Sequence, residues 1–273
     1  MATFQFREKN VFYDIRGDEF HPVLVMLNGI MMSTKSWDPF VAAFSDKLRL
    51  LRVDFLDQGE SDRMIKPYTQ AVQVDMLLAL LDHLKLERVH LAGISYGGSV
   101  AMQFAAAHPG RVEKLMLFNV TAKTTPWLKA IGDGWNAVAA SRDGNAYYHI
   151  AIPYIYSPGF YNQHIEWMDA RKDKLVPLFS DVGFLDAMIR LTQSAESHDV
   201  ASQLPLMRMP TLVVASEHDF LTPPSEQRII ARAMPHAAFV MFEDCGHASM
   251  YEKPSLFVST ILGFVYEDGT YTI

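Results

Sequence analysis

Short aliphatic runs alternate with longer amphipathic stretches along the first 120 residues of the chain. Residues 23–27, 48–53, 89–92 and 115–118 are short, mainly β-branched or aliphatic runs, the pattern of buried strands. Between them, residues 37–44, 71–84 and 99–107 carry apolar side chains at helical spacing. This alternation predicts a mostly parallel sheet covered by helices on both faces. The rhythm stops after Asn119. Residues 121–204 are rich in Trp, Tyr, Met and Pro and contain no clear strand runs. It then resumes with a strand at 211–215, a helix at 225–233, a strand at 238–242 and a closing helix at 255–265. The expected organisation is an α/β core made of residues 1–120 and 205–273, with residues 121–204 inserted as a helical cap. There is no tandem repeat and no low-complexity linker.

Composition fits one folding unit with such an elaboration. The 273 residues are 49% hydrophobic and 20% charged, enough to bury a sizeable core. The formal charge of -7, from 31 acidic and 24 basic residues without long blocks of one sign, argues against a nucleic-acid partner. The single cysteine, Cys245, cannot form an internal disulfide, and Arg7, Glu8 and Lys9 sit where a secretory leader would need an apolar run. A cytoplasmic location is the resulting expectation. No apolar run approaches the roughly 18–20 residues of a membrane span. Oligomeric state is open.

The chemistry centres on Gly93-Ile94-Ser95-Tyr96-Gly97-Gly98, which follows one predicted strand and precedes a predicted helix. A G-x-S-x-G turn in that context is a nucleophile elbow. Glycines at 93 and 97 leave room for a strained backbone at Ser95, whose hydroxyl then sits at a helix N-terminus, where amides favour developing negative charge. On its own, such a serine could merely cap the helix.

A serine hydroxyl needs a general base and a carboxylate to orient that base, in the chain order Ser, Asp or Glu, His. Of ten histidines, His247 follows the strand at 238–242, at the sheet end where sites of open α/β sheets collect. His21, His90, His108 and His236 have surface or structural positions, and His149, His164 and His198 belong to the cap. Asp219 follows the strand at 211–215 and precedes His247, which suits the orienting carboxylate, with Glu217 its nearest rival. Tyr96 offers one backbone amide for an oxyanion hole. Ile30 offers the second, from Leu27-Asn28-Gly29-Ile30-Met31-Met32 after the strand at 23–27. The side chains of Ile30, Met31, Met32, Tyr96, Trp127, Trp135, Tyr154 and Trp167 suggest an apolar acyl site, or simply packing of cap on core.

These segments together resemble the α/β-hydrolase superfamily over nearly the whole chain. Asp54 through Asp57-Gln58-Gly59-Glu60-Ser61 resembles its D-x-x-G-x-G-x-S segment with variations. His108-Pro109-Gly110-Arg111-Val112 is similar to its link after the nucleophile helix, and Asp219 with Thr222-Pro223, then Gly246-His247, match its acid and base segments. One departure is Asn28-Gly29, where the family commonly has His-Gly. That segment is similar to an acyltransferase joining two 3-hydroxyacyl units, and enol-lactonases of aromatic catabolism also depart from His-Gly there.

The resemblance implies a serine hydrolase that cleaves a carboxylic ester or lactone through an acyl-enzyme, using the triad Ser95, Asp219 and His247 with the backbone amides of Ile30 and Tyr96 as oxyanion hole. Its partner would be a small ester, lactone or acyl substrate with an apolar acyl part. Acyl transfer to a hydroxyl acceptor such as a 3-hydroxy acid uses the same residues, and a non-catalytic receptor on the same fold is the third reading. No cofactor and no metal are implied, since there is no G-x-G-x-x-G after a strand and no clustered His/Cys ligand set.

Overall fold

The computed structural model describes residues 2–267. Residue 1 and residues 268–273, which the sequence pattern assigns to the core, lie outside the described residues. Eight strands form one sheet: β1 (Ala2–Phe6), β2 (Lys9–Arg16), β3 (Val23–Leu27), β4 (Arg49–Val53), β5 (Val89–Ile94), β6 (Val112–Phe118), β7 (Thr211–Ser216) and β8 (Ala237–Phe242). Their order is β1-β2-β4-β3-β5-β6-β7-β8. From β4 across to β8 every neighbouring pair is parallel, while β2 runs antiparallel to both β1 and β4. The interior strands β5 and β7, covered on both faces, are buried along their whole length.

The sheet is flanked by α1 (Val41–Ser45), α2 (Ala71–His83), α3 (Tyr96–Ala107), α9 (Pro224–Ala233), α10 (Ser249–Glu252) and α11 (Pro254–Tyr266). Between β6 and β7 stand five more helices: α4 (Pro126–Ala140), α5 (Gly144–Ala151), α6 (Pro158–Gln163), α7 (Ile165–Phe179) and α8 (Val182–Ser194). Local chemistry starts four of them. Thr125, Asp143, Ser157 and Asp181 each accept a bond from the amide three residues on, at Leu128, Ala146, Phe160 and Phe184. Such caps are worth about 1 kcal/mol apiece. The two ends of the inserted segment are tied together, with Val200 N donating to Ala122 O at 2.9 Å and Thr124 N to His198 O at 2.9 Å.

Two expectations change in detail. The helix expected at 37–44 is a 3-10 turn, Thr34–Phe40, with Pro39 inside it, followed by the short α1. The hairpin β1–β2 was absent from the expected elements. Phe4, Phe6, Val11 and Tyr13 are its buried positions, at the alternate spacing of a half-buried strand.

Candidate functional site

Strand β5 ends at Ile94 and α3 begins at Tyr96, so the reversal is made by Ser95 alone, at φ 53° and ψ -119°. Backbone there costs on the order of 1–3 kcal/mol for a non-glycine residue. Packing holds it in place. Ser95 N donates to Phe118 O on β6 at 2.9 Å, and Ser99 N donates to Ser95 O at 3.1 Å. The flanking glycines are required by close approach. A β-carbon at Gly93 would lie 2.6 Å from the Gly97 carbonyl carbon, and one at Gly97 would lie 2.7 Å from Asn28 O. The elbow is thus pressed against the end of β3, beside the turn that carries Ile30.

Asp219 lies in the loop after β7 and His247 in the loop after β8, and both are buried. His247 Nδ1 lies 2.8 Å from Asp219 Oδ2. That oxygen also accepts from Asn119 Nδ2 at 2.9 Å and Thr222 Oγ1 at 2.8 Å, while Oδ1 accepts from the amides of Leu221 and Thr222, both at 2.9 Å. Burial alone would raise the Asp219 carboxyl. The His247 charge and this set of donors outweigh burial and hold it below the usual 3.8. Asn119 is fixed in turn by Ser216 Oγ and Ser249 Oγ. Glu217, the rival acid, is exposed and instead accepts from Asp244 N at 3.0 Å. Ser95 and His247 line one cavity, with no hydrogen bond between them among the described residues.

The turn after β3 is closed by Met32 N donating to Gly29 O at 3.1 Å. Its peptide planes are set from behind by Gln58, whose Nε2 donates to Gly29 O at 2.8 Å and to Ile30 O at 3.2 Å. In a trans peptide the N–H points opposite to the carbonyl, so the amides of Ile30 and Met31 are directed away from Gln58. Gln58 is itself held by Asn28, whose Nδ2 donates to Gln58 Oε1 at 3.1 Å and Val53 O at 2.9 Å, and whose Oδ1 accepts from Trp37 Nε1 at 2.7 Å. The departure at Asn28 and the glutamine at 58 therefore form one buried unit.

Next to it, Asp57 occupies a left-handed conformation, φ 74°, where the resembling segment has glycine. Its fully buried carboxylate is gripped by Arg190 of α8, with Nη2 at 2.5 Å and Nε at 3.0 Å. This pair ties the inserted helices to the sheet.

The cavity holds about 170 Å³ and is lined by Ile30, Met31, Met32, Ser95, Tyr96 and His247 from the sheet side. Helices of the inserted segment contribute Leu128, Ile131, Trp135, Leu175 and Phe179. Of the aromatic residues singled out in the sequence, Trp135 and Tyr96 line it, whereas Trp127, Tyr154 and Trp167 are not among its walls. Trp127 is exposed and donates to Phe220 O, and Trp167 packs edge-on against Tyr156 and Phe160 at the surface. The sequence pattern did not single out the charged wall residues Lys129, Asp133, Arg171 and Glu196.

His198 also lines the cavity, but Nδ1 accepts from Gln103 and Nε2 donates to Thr121 O, a neutral tautomer that burial favours. Burial pushes the Cys245 thiol up to about 12, which leaves it unsuited as a nucleophile. One group of possible metal ligands occurs among the described residues: Glu217, His218 and Asp244, partly exposed and away from the cavity walls. Among the described residues no helix is long and apolar enough to cross a membrane.

A parallel sheet with a strained serine at the turn from β5 into α3 defines the α/β-hydrolase class of enzymes. The chain matches the alpha/beta hydrolase fold family over residues 22–254 and belongs to that family. Its structure superimposes with a TM-score of 0.96 on MGS-M2, an alpha/beta hydrolase enzyme from a Medee basin deep-sea metagenome library. The two are 52% identical, over 100% of this chain and 98% of that one. A protein named carbamate hydrolase RutD from Caulobacter sp. (strain K31) is 28% identical over 247 residues, 89% of this chain and 90% of that protein. The 3-oxoadipate enol-lactonase 1 of Acinetobacter baylyi is 26% identical over 268 residues, 94% of this chain and 93% of that protein.

Proposed function

We propose that the protein hydrolyses a carboxylic ester or lactone through an acyl-enzyme on Ser95. The observation that carries this reading is the placement of Ser95 and His247 on one cavity, with His247 held at Nδ1 by a buried carboxylate at 2.8 Å. That bond leaves Nε2 to take the proton of Ser95 Oγ as it attacks the acyl carbon. Asp219 fixes the ring orientation and stabilises the imidazolium that forms. The amides of Ile30 and Tyr96 receive the carbonyl oxygen as it becomes negative. His247 then returns its proton to the leaving alcohol, and a water activated by the same nitrogen releases the acid. Residues 121–204 act as a cap whose helices complete an apolar acyl site.

The relatives named for an enol-lactone and for a carbamate support this class. Both names describe an acyl carbon bearing a heteroatom leaving group. The test is hydrolysis of short p-nitrophenyl esters. Ser95→Ala removes turnover while circular dichroism and the melting temperature stay near wild type; unchanged turnover in that variant refutes the reading.

A further inference from the structure

A cavity built only to accept an apolar acyl group would have no use for an unpaired cation in its wall. Arg171 of α7 is such a cation. Its guanidinium lies over the rings of Tyr251 at 4.5 Å, Trp167 at 5.2 Å and Tyr156 at 5.8 Å. Among the described residues no carboxylate lies within ion-pair distance of it. Its Nε is buried without a hydrogen-bond partner, and so is the hydroxyl of Tyr156, another wall residue beneath the same guanidinium. Buried polar atoms are ordinarily hydrogen-bonded, so two orphans in one wall, one of them on a cation without a counter-charge, mark this part of the cavity as suited to a polar, anionic occupant.

The other charges of the wall do not supply it. Lys129 is neutralised by Asp133 at 2.9 Å and Glu196 at 3.2 Å, and His247 is engaged by Asp219. Aromatic rings hold the guanidinium plane without using its edge donors, so the fork is preorganised for a planar anion. A carboxylate accepts two parallel bonds from that fork, and the phenolic hydroxyl of Tyr156, in the same wall, is a further unused donor.

We propose that Arg171, assisted by Tyr156, binds an ionised carboxylate on the substrate, so that the preferred esters or lactones carry a second, free carboxylate group. This rests on the ester-hydrolase reading above and narrows its substrate class. The chain's overall negative charge makes a local cation the means of admitting such a substrate.

The test compares monomethyl glutarate, which carries the anion, with dimethyl glutarate, which lacks it, by methanol release. Arg171→Met lowers the ratio of kcat/KM for the monoester to that for the diester at least tenfold. Arg171→Lys lowers it less, and Tyr156→Phe shifts it in the same direction. A merely structural role would depress both substrates together and leave the ratio within twofold of wild type, which overturns the proposal. A second readout does not require turnover. Ser95→Ala should bind monomethyl glutarate in calorimetry at least tenfold more tightly than Ser95→Ala/Arg171→Met does, and equal binding by the two also overturns it. If wild type cleaves neither p-nitrophenyl esters nor these esters, the hydrolase reading fails, and the calorimetric comparison still decides the role of Arg171.

Discussion

Replacing Gln58 by Met tests whether the turn carrying Ile30 is aimed by its neighbours or by its own backbone. Methionine fills a similar volume and removes the donor that reaches Gly29 O at 2.8 Å and Ile30 O at 3.2 Å. Each such bond is worth about 0.5–1.5 kcal/mol net, so about 1–3 kcal/mol holds the two peptide planes. If that energy is felt mainly when the oxyanion forms, kcat falls by roughly 5- to 150-fold. Binding of the neutral ester uses the turn little, so KM moves by less than about threefold. Steady-state kinetics with p-nitrophenyl butyrate separate the two constants, and a denaturant titration reports the accompanying loss of stability. A variant that loses stability but keeps kcat within twofold would show that the Met32 N to Gly29 O bond suffices to set the turn. Gln58 would then be a packing residue and not a positioning one.

Other outcomes follow from the buried charges. Asp219→Asn cuts kcat by roughly 10³- to 10⁴-fold, because an amide favours the wrong imidazole tautomer. The Asp219 carboxyl is held below its ordinary value, so its contribution to stability is complete above about pH 4 and is lost as the pH falls through the lower folded value. The stability gap between wild type and Asp219→Asn is therefore widest near neutrality and narrows on acidification; a constant gap from pH 7 to pH 3 in urea titrations contradicts this. Arg190→Met leaves a buried Asp57 carboxylate unpaired and costs about 3 kcal/mol of unfolding free energy. The double variant Asp57→Gly/Arg190→Met regains most of that loss, since glycine accepts φ 74° and no charge remains. Equal melting temperatures for the single and double variants would refute the pairing argument.

The sheet core was legible because its strands are short, mainly apolar runs and its site loops follow strand ends. Glycines at 93 and 97 announced a tight turn, and the structure supplies the reason in the carbonyls of Gly97, Leu27 and Asn28 that a β-carbon would strike. The N-terminal hairpin was harder. Phe4, Phe6, Val11 and Tyr13 alternate correctly, but the charged Arg7-Glu8-Lys9 turn splits them into two short stretches, each too brief to read as a strand until the two are paired. Asn119 and Gln58 act on carbonyls and carboxylates far away in sequence, and their roles exist only once β4 stands beside β3 and β6 beside β7. Arg171 sits among Asp169, Lys172, Asp173 and Lys174 on α7, a charge pattern that reads as a solvated helix face. Only the arrival of Tyr156 and Tyr251 from distant segments makes it a wall residue. Tryptophans in the inserted segment carried the opposite error, because composition alone does not say which face of a helix is covered.

The claim on which the rest depends is that Ser95 is a nucleophile activated by His247, and a fluorophosphonate probe measures it most directly. Wild type incubated with the probe should gain one adduct, mapped by peptide mass spectrometry to Ser95. The adduct should be absent from Ser95→Ala and should form at least a hundredfold more slowly in His247→Ala. Failure of the wild-type protein to label, or an adduct on Ser99 or another serine, would contradict the account.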